Sequence, residues 1–345
     1  MTRDLSHRYR DPLDQVWIAA AARMGFSVAR SDESYAHVAG GQIFIGETAF
    51  LDDDDCLAQM IVHELCHALV EGERGHREPD WGLDNTSDRD LCREHACLRV
   101  QAYLLGLYGL RRMLAPTTEH RAFYDALPED PLAPRAGTDA EAAILGCGRA
   151  EALPFAPHLH DALAATADIA AVAARFKDDP AMLYATVDAR PPSHPSGRGV
   201  VPPWHAGARC GDCAWAFVGG RGQAVMRCRA HGGHRIDGDW PGCERFEASA
   251  GSPPLDCQDC AACCRAGYDS VTVSRRDPVV RRQPALVVDR GRYLEIARTG
   301  DHCAALSGGG PFACTIYEDR PRPCRELAPG SDHCRTARRR VGKSV

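Results

Sequence analysis

Cysteine placement restricts this chain more than any other feature. Seventeen cysteines occur in 345 residues, and twelve of them fall between Cys210 and Cys334. An odd count argues against a closed disulfide framework, and thiols at such short spacings point to bound metal instead. The opening residues lack the charged-then-apolar layout of a signal peptide, and no apolar run reaches the length of a membrane span. A cytoplasmic, reducing location with no membrane partner is therefore expected.

The thiols form two arrays. The first is Cys210-Gly-Asp-Cys213 followed by the isolated Cys228 and Cys243, four ligands that suffice for one tetrahedral Zn²⁺ or one iron–sulfur cluster. The second and denser array is Cys257, Cys260, Cys263 and Cys264, then Cys303, Cys314, Cys324 and Cys334. Three thiols at C-x-x-C-x-x-C can take three corners of a cubane while a remote cysteine takes the fourth. The same eight could instead hold two zinc ions. Segments this short and glycine-punctuated build little core of their own, so metal would act as their staple.

Elsewhere the chain is an ordinary globular sequence: 44% hydrophobic, 26% charged, net charge −6. Only two of its 41 basic residues are lysine (Lys177 and Lys343), so local arginine clusters carry little weight, and nucleic acid has no strong case as a partner. A helix is predicted from Asp11-Pro12 to Met24, with short strands at 26–28 and 42–45. Aspartates 52 to 55 precede a helix ending near Gly72. A second long helix is predicted to start at Thr86 or Ser87 and to stop at Pro116. Two or three amphipathic helices are expected over 119–183.

Within the helix that ends near Gly72 stands His63-Glu64-Leu65-Cys66-His67. The i, i+4 spacing puts both imidazoles on one face, one turn apart, where they can share a Zn²⁺. Glu64 then lies beside the ion as a general base able to take a proton from water. Cys66, Cys92 and Cys97 read as packing residues.

The region 1–115 resembles the zincin metallopeptidases, which implies zinc held by His63 and His67, Glu64 as base, and a peptide or protein substrate. The metzincin third histidine is absent, because Val70 and Glu73 stand where its glycine and histidine belong. The gluzincin arrangement implies Glu94 as third ligand, with Asp90 as the outer partner of a histidine. His95 and His76 are the alternatives. Residues 255–335 resemble the YkgJ-type CxxCxxCC family, tied to zinc or iron chelation, on the opening Cys257/Cys260/Cys263/Cys264, Cys303, and Cys314-Thr-Ile-Tyr-Glu-Asp-Arg-Pro-Arg-Pro-Cys324-Arg325. A related domain occurs in flagellin lysine N-methylases.

An α+β multidomain chain is thus expected: a zincin-like HExxH domain over 1–116, an alanine-rich helical segment over 117–189 and a proline-rich linker over 190–208. A four-cysteine site over 209–250 and a cysteine-cluster domain over 251–345 follow. The expected function is a zinc metallopeptidase-like hydrolase carrying iron–sulfur or further zinc at its thiols. A non-catalytic iron or zinc chelator or iron–sulfur carrier is the alternative. Methyl transfer ranks lowest, because no glycine-rich cofactor loop joins a strand to a helix.

Overall fold

The computed structural model describes residues 6–32, 36–84, 87–134, 137–176, 178–219, 225–249, 257–265, 267–300, 302–308 and 311–341. The chain is mixed α+β and divides into two compact units, one of residues 1–211 and 216–246, the other of residues 212–215 and 247–345. No helix among the described residues is long and apolar enough to cross a membrane.

The first unit opens with α1 (Pro12–Arg23), started as expected by the Asp11 carboxylate, which accepts from the Leu13 amide at 2.8 Å. Strands β1 (Ser27–Ser31), β2 (His37–Ala39) and β3 (Gln42–Gly46) form a sheet of order β1-β3-β2, with β1 parallel and β2 antiparallel to β3. Helix α2 (Leu57–Gly75) carries the HExxH motif and has non-helical backbone at Gly72 (φ 69°). The α2 carbonyls exposed by that break are satisfied by guanidiniums. Arg149 donates to Val70 at 2.8 Å, and Arg93 donates to Val70 at 2.9 Å while pairing with Glu71 at 2.7 Å.

Helix α3 (Leu91–Gly106) ends ten residues before the expected stop at Pro116. The chain turns instead at Gly109 (φ +72°), where a Cβ would lie 2.6 Å from the Asp188 carbonyl oxygen. Thr86 lies outside the described residues, and Ser87 caps the short turn leading into α3 by accepting from Arg89. Helices α4 (Arg121–Ala126), α5 (Thr138–Ala150) and α6 (His158–Ala173) follow.

The small residues of α5 have a packing reason. At Gly146 an added Cβ would come within 3.0 Å of Val100 on α3 and 3.4 Å of the Leu69 carbonyl on α2. One core runs through both expected N-terminal segments: Trp17, Ile43, Ile61, Leu65 and Leu105 share it with Ala143, Leu159 and Leu163. The buried Trp17 indole donates to Thr166 at 2.9 Å. Residues 190–208, expected as a linker, contain the buried His194, Val201 and His205 and a bridge between Ser193 and Val200. Strands β4 (Ala216–Gly219), β5 (Val225–Cys228) and β6 (His234–Arg235) make a second small antiparallel sheet.

The second unit is assembled from short pieces: α7 (Cys257–Cys260), β7 (Thr272–Val273), α8 (Pro278–Arg282), β8 (Val287–Asp289), β9 (Leu294–Ile296), β10 (Arg298–Thr299), β11 (His302–Cys303), β12 (Leu306–Ser307), β13 (Ala313–Cys314), α9 (Arg322–Glu326) and α10 (Asp332–Arg340). Its main apolar cluster holds six buried residues: Val273, Val279, Leu294, Ile296, Ala305 and Ile316. Buried Asp277 gives the Arg-Pro-x-x-Cys-Arg stretch its anchor. It accepts from the Arg322 amide at 3.1 Å and pairs with Arg325 at 3.3 Å.

Candidate metal centres

Helices α2 and α3 pack side by side and bring three expected residues together. His63 Nε2 and His67 Nε2 are 3.2 Å apart. The Glu94 carboxylate lies 3.1 Å from His67 Nε2 and 3.6 Å from His63 Nε2. Nitrogen and oxygen ligands about 2.05 Å from a tetrahedral Zn²⁺ sit roughly 3.3 Å from one another, so the donor set fits one ion. Glu94 Oε1 is buried with no hydrogen-bond partner, as a ligand atom would be. His63 and Glu94 keep 14% and 18% of their side chains exposed, enough for access from solvent.

The groups of the site are strongly coupled through their charges. Burial works against a charged His67, yet the Glu94 carboxylate more than reverses this and raises the imidazole to about 9. Glu94 is likewise held well below the usual carboxylate range, its burial outweighed by His67 and His63.

Supporting contacts define the tautomer of His63. Gln101, fully buried, donates its Nε2 to the Leu114 carbonyl at 2.9 Å, which fixes its Oε1 toward His63 Nδ1 at 3.0 Å. His63 therefore donates from Nδ1 and leaves Nε2 free to face Glu94. Glu64 is buried and accepts from the Trp81 indole at 2.8 Å. Trp81 and its neighbour Asp80 both adopt left-handed backbone, φ 59° and 48°, a strained turn that delivers the indole to the carboxylate.

Other candidates lie elsewhere. His76 donates to the Ala68 carbonyl at 3.1 Å among Phe26, Trp81 and Phe155, and His95 stacks on Phe123 with ring centroids 3.7 Å apart. Asp90 is no histidine partner: it accepts from the Asp84 amide at 2.8 Å and pairs with Arg89 at 2.6 Å. Cys97 has its sulfur within 4.8 Å of donor atoms of His63 and His67, but on the Nδ1 side of His63, where it donates to the His63 carbonyl at 3.6 Å. Burial pushes the Cys97 thiol far up, and does the same to Cys66, which suits two neutral packing residues.

In the first array, Cys210, Cys228 and Cys243 are buried in the first unit, and Cys213 lies in the 212–215 segment of the second. Two histidines that are absent from the expected ligand set stand beside these sulfurs. His194 Nδ1 accepts from the Ser196 amide at 3.2 Å, so its proton sits on Nε2, which points at the Pro241 carbonyl (2.9 Å) and Cys210 Sγ (3.4 Å). It is a donor to the sulfur rather than a ligand. His231 Nε2 lies 3.4 Å from Cys243 Sγ, and His231, Cys243 and Glu244 offer donor atoms within 4.8 Å of one another. His194 lies far from any cysteine in sequence and no motif marks it, whereas Cys228-Arg229-Ala230-His231 is a C-x-x-H spacing that marks His231.

In the second unit, Cys257, Cys260, Cys263 and Cys334 line one cavity of about 20 Å³. Cys303 donates its amide to the Cys264 carbonyl at 2.7 Å, while Cys314 pairs with Leu306 across the β12–β13 ladder.

Residues 256–339 match the CxxCxxCC family, described as a "Putative zinc- or iron-chelating domain". No curated protein and no solved structure matches the chain. The match supports metal binding by the C-terminal thiols, with zinc or iron as the metal class.

Proposed function

We propose that the protein is a metal-dependent hydrolase, with His63, His67 and Glu94 as ligands of one zinc ion and Glu64 as the general base. The observation that carries this reading is the convergence of two Nε2 atoms and one carboxylate within 3.6 Å, one residue along the helix from Glu64. A purely structural zinc site closes with four protein ligands, whereas three leave a position for substrate or water. Bound zinc would supply Lewis acidity to a scissile carbonyl. Glu64, held by Trp81, would accept the proton of the attacking water and pass it to the leaving amine. Gln101 would keep His63 in its ligating tautomer. The substrate class that suits this chemistry is an unstructured peptide or protein segment.

Glu64→Gln should keep zinc and lose cleavage of an unstructured peptide library; unchanged cleavage would remove Glu64 from the mechanism. The second reading, a non-catalytic zinc or iron chelator, is favoured by the family match over 256–339. Wild-type protein that carries full metal at all its sites and cleaves nothing would select it. In either reading, anaerobically prepared protein that is brown would assign iron–sulfur to a thiol array, and colourless protein with only zinc would assign zinc.

A further inference from the structure

We propose a second metal centre in the first unit, in which His231 Nε2, Cys243 Sγ and the Glu244 carboxylate hold one divalent ion of the zinc class and leave one coordination position open toward a neighbouring cavity. The site shares no residue with the His63/His67/Glu94 centre and lies outside residues 256–339. Neither the hydrolase reading nor the family match supplies it.

Donor geometry carries the assignment. His231 Nε2 stands 3.4 Å from Cys243 Sγ, and one donor atom from each of the three side chains lies within 4.8 Å of the other two. A nitrogen about 2.05 Å and a thiolate about 2.3 Å from a tetrahedral Zn²⁺ sit roughly 3.5 Å apart. The imidazole and the sulfur are thus already spaced as two ligands of one ion. A nitrogen, a sulfur and an oxygen donor together suit zinc, whereas calcium and magnesium take oxygen alone.

Three segments of backbone hold these donors in place. His231 sits in the turn between β5 and β6, where the Gly233 amide donates to the Cys228 carbonyl at 2.7 Å and the His234 amide to the His231 carbonyl at 3.3 Å. Cys243 is buried, and its carbonyl accepts from His205 Nδ1 at 2.8 Å and from the Phe246 amide at 2.9 Å. Glu244 is clamped to Val200 by two bonds. Its amide donates to the Val200 carbonyl at 3.0 Å, and its carboxylate accepts from the Val200 amide at 2.9 Å. A side chain at Gly199 (φ +76°) would collide with that carboxylate. Arg245 then ties this segment to the hairpin by donating to the Ala230 carbonyl at 3.2 Å. Its Nε stays 3.7 Å from Glu244 Oε1, beyond hydrogen-bond range, so that oxygen can turn to an ion.

His231 and Glu244 also line a cavity of about 390 Å³, together with Tyr108, His160 and Arg198. An ion reaches the donors through this space, and three protein ligands leave the fourth position of a tetrahedron to water or a small anion. Cys210 stands apart from the set: its sulfur meets His194 Nε2 at 3.4 Å and the Pro241 carbonyl at 3.5 Å. Ligation releases the Cys243 thiol proton to solvent and requires His231 to keep its proton on Nδ1.

Cadmium-113 NMR of the cadmium-loaded full-length chain tests the proposal, because the shift of each ion reports how many sulfurs bind it. One resonance should fall in the range of a single sulfur with nitrogen and oxygen, apart from any multi-thiolate site and from the sulfur-free His63/His67/Glu94 site. It should vanish in His231→Gln and in Cys243→Ser, and persist in Cys210→Ser and in His63→Gln. Resonances that stay in place in each variant show that the chain is still folded. Azide should move the single-sulfur resonance by entering the open position, and a resonance that azide leaves in place would show the coordination to be closed. Loss of the signal in Cys210→Ser with a shift typical of four sulfurs would return Cys243 to a thiolate array and overturn the site. A folded, cadmium-loaded chain with no single-sulfur resonance would overturn it as well.

Discussion

His63 presents Nε2 to Glu94 because Gln101 fixes its other nitrogen, and Gln101 is itself locked by Leu114. Outer partners of metal-bound histidine contribute strongly to affinity, so Gln101→Leu should weaken metal binding roughly 10- to 100-fold. It should also cost about 1–3 kcal/mol for the orphaned Leu114 carbonyl. Competition against a chromogenic chelator measures the first effect, and unchanged affinity would mean that Gln101 does not orient the ring. Glu94→Ala should empty the histidine site, while His76→Ala and His95→Ala should not, as element analysis would show. In the metal-stripped protein the His67–Glu94 pair adds a pH signature. Because His67 is raised from 6.5 to about 9, the stabilisation it gives is complete below 6.5 and fades as pH climbs through 9. The thermal-midpoint advantage of wild type over Glu94→Gln should therefore shrink across that interval, and a constant difference would contradict the pairing. Much at this scale was legible, since the i, i+4 histidines and a glutamate on the following helix are periodic facts. Gln101 and Trp81 were not: one reaches His63 from an adjacent helix, and the other arrives through two left-handed residues that no pattern announces.

Among the elements, α2, α3 and α5 pack together, and Gly146 is a point of close approach of α5 to both neighbours. Gly146→Val would force methyl groups into Val100 and the Leu69 carbonyl, and overpacking of this kind costs about 1–3 kcal/mol. A fall of several degrees in the thermal midpoint is expected, since about 1 kcal/mol shifts a unit of this size by roughly 2–4 °C. An unchanged midpoint would show that α5 can slide without penalty. Helix starts were readable from caps such as Asp11-Pro12, and the alanine-rich stretch did yield helices. The end of α3 was not, because the turn at Gly109 answers a backbone contact with Asp188, far along the chain. The proline-rich stretch read as a linker for its composition alone; the burial of His194 and His205 depends on contacts with Pro241 and Cys243, which composition does not encode.

For the molecule as a whole, the two units differ in what holds them. The first buries a continuous core from Leu13 to Ala170, whereas the second relies on six buried side chains and small clusters. Metal removal should therefore loosen the second unit selectively: limited proteolysis after chelation should cut within 257–341 well before 12–173. Equal loss of both would place the thiols' metal outside the stability of their unit. The most direct test of the central claim is moles of zinc and iron per chain, measured together with native free-thiol titration on anaerobically purified protein. The account predicts one ion at the His63/His67/Glu94 site and further zinc or iron in the second unit, with the eight thiols of that unit protected until a chelator is added. Protein with no stoichiometric metal and those eight thiols freely reactive would contradict it.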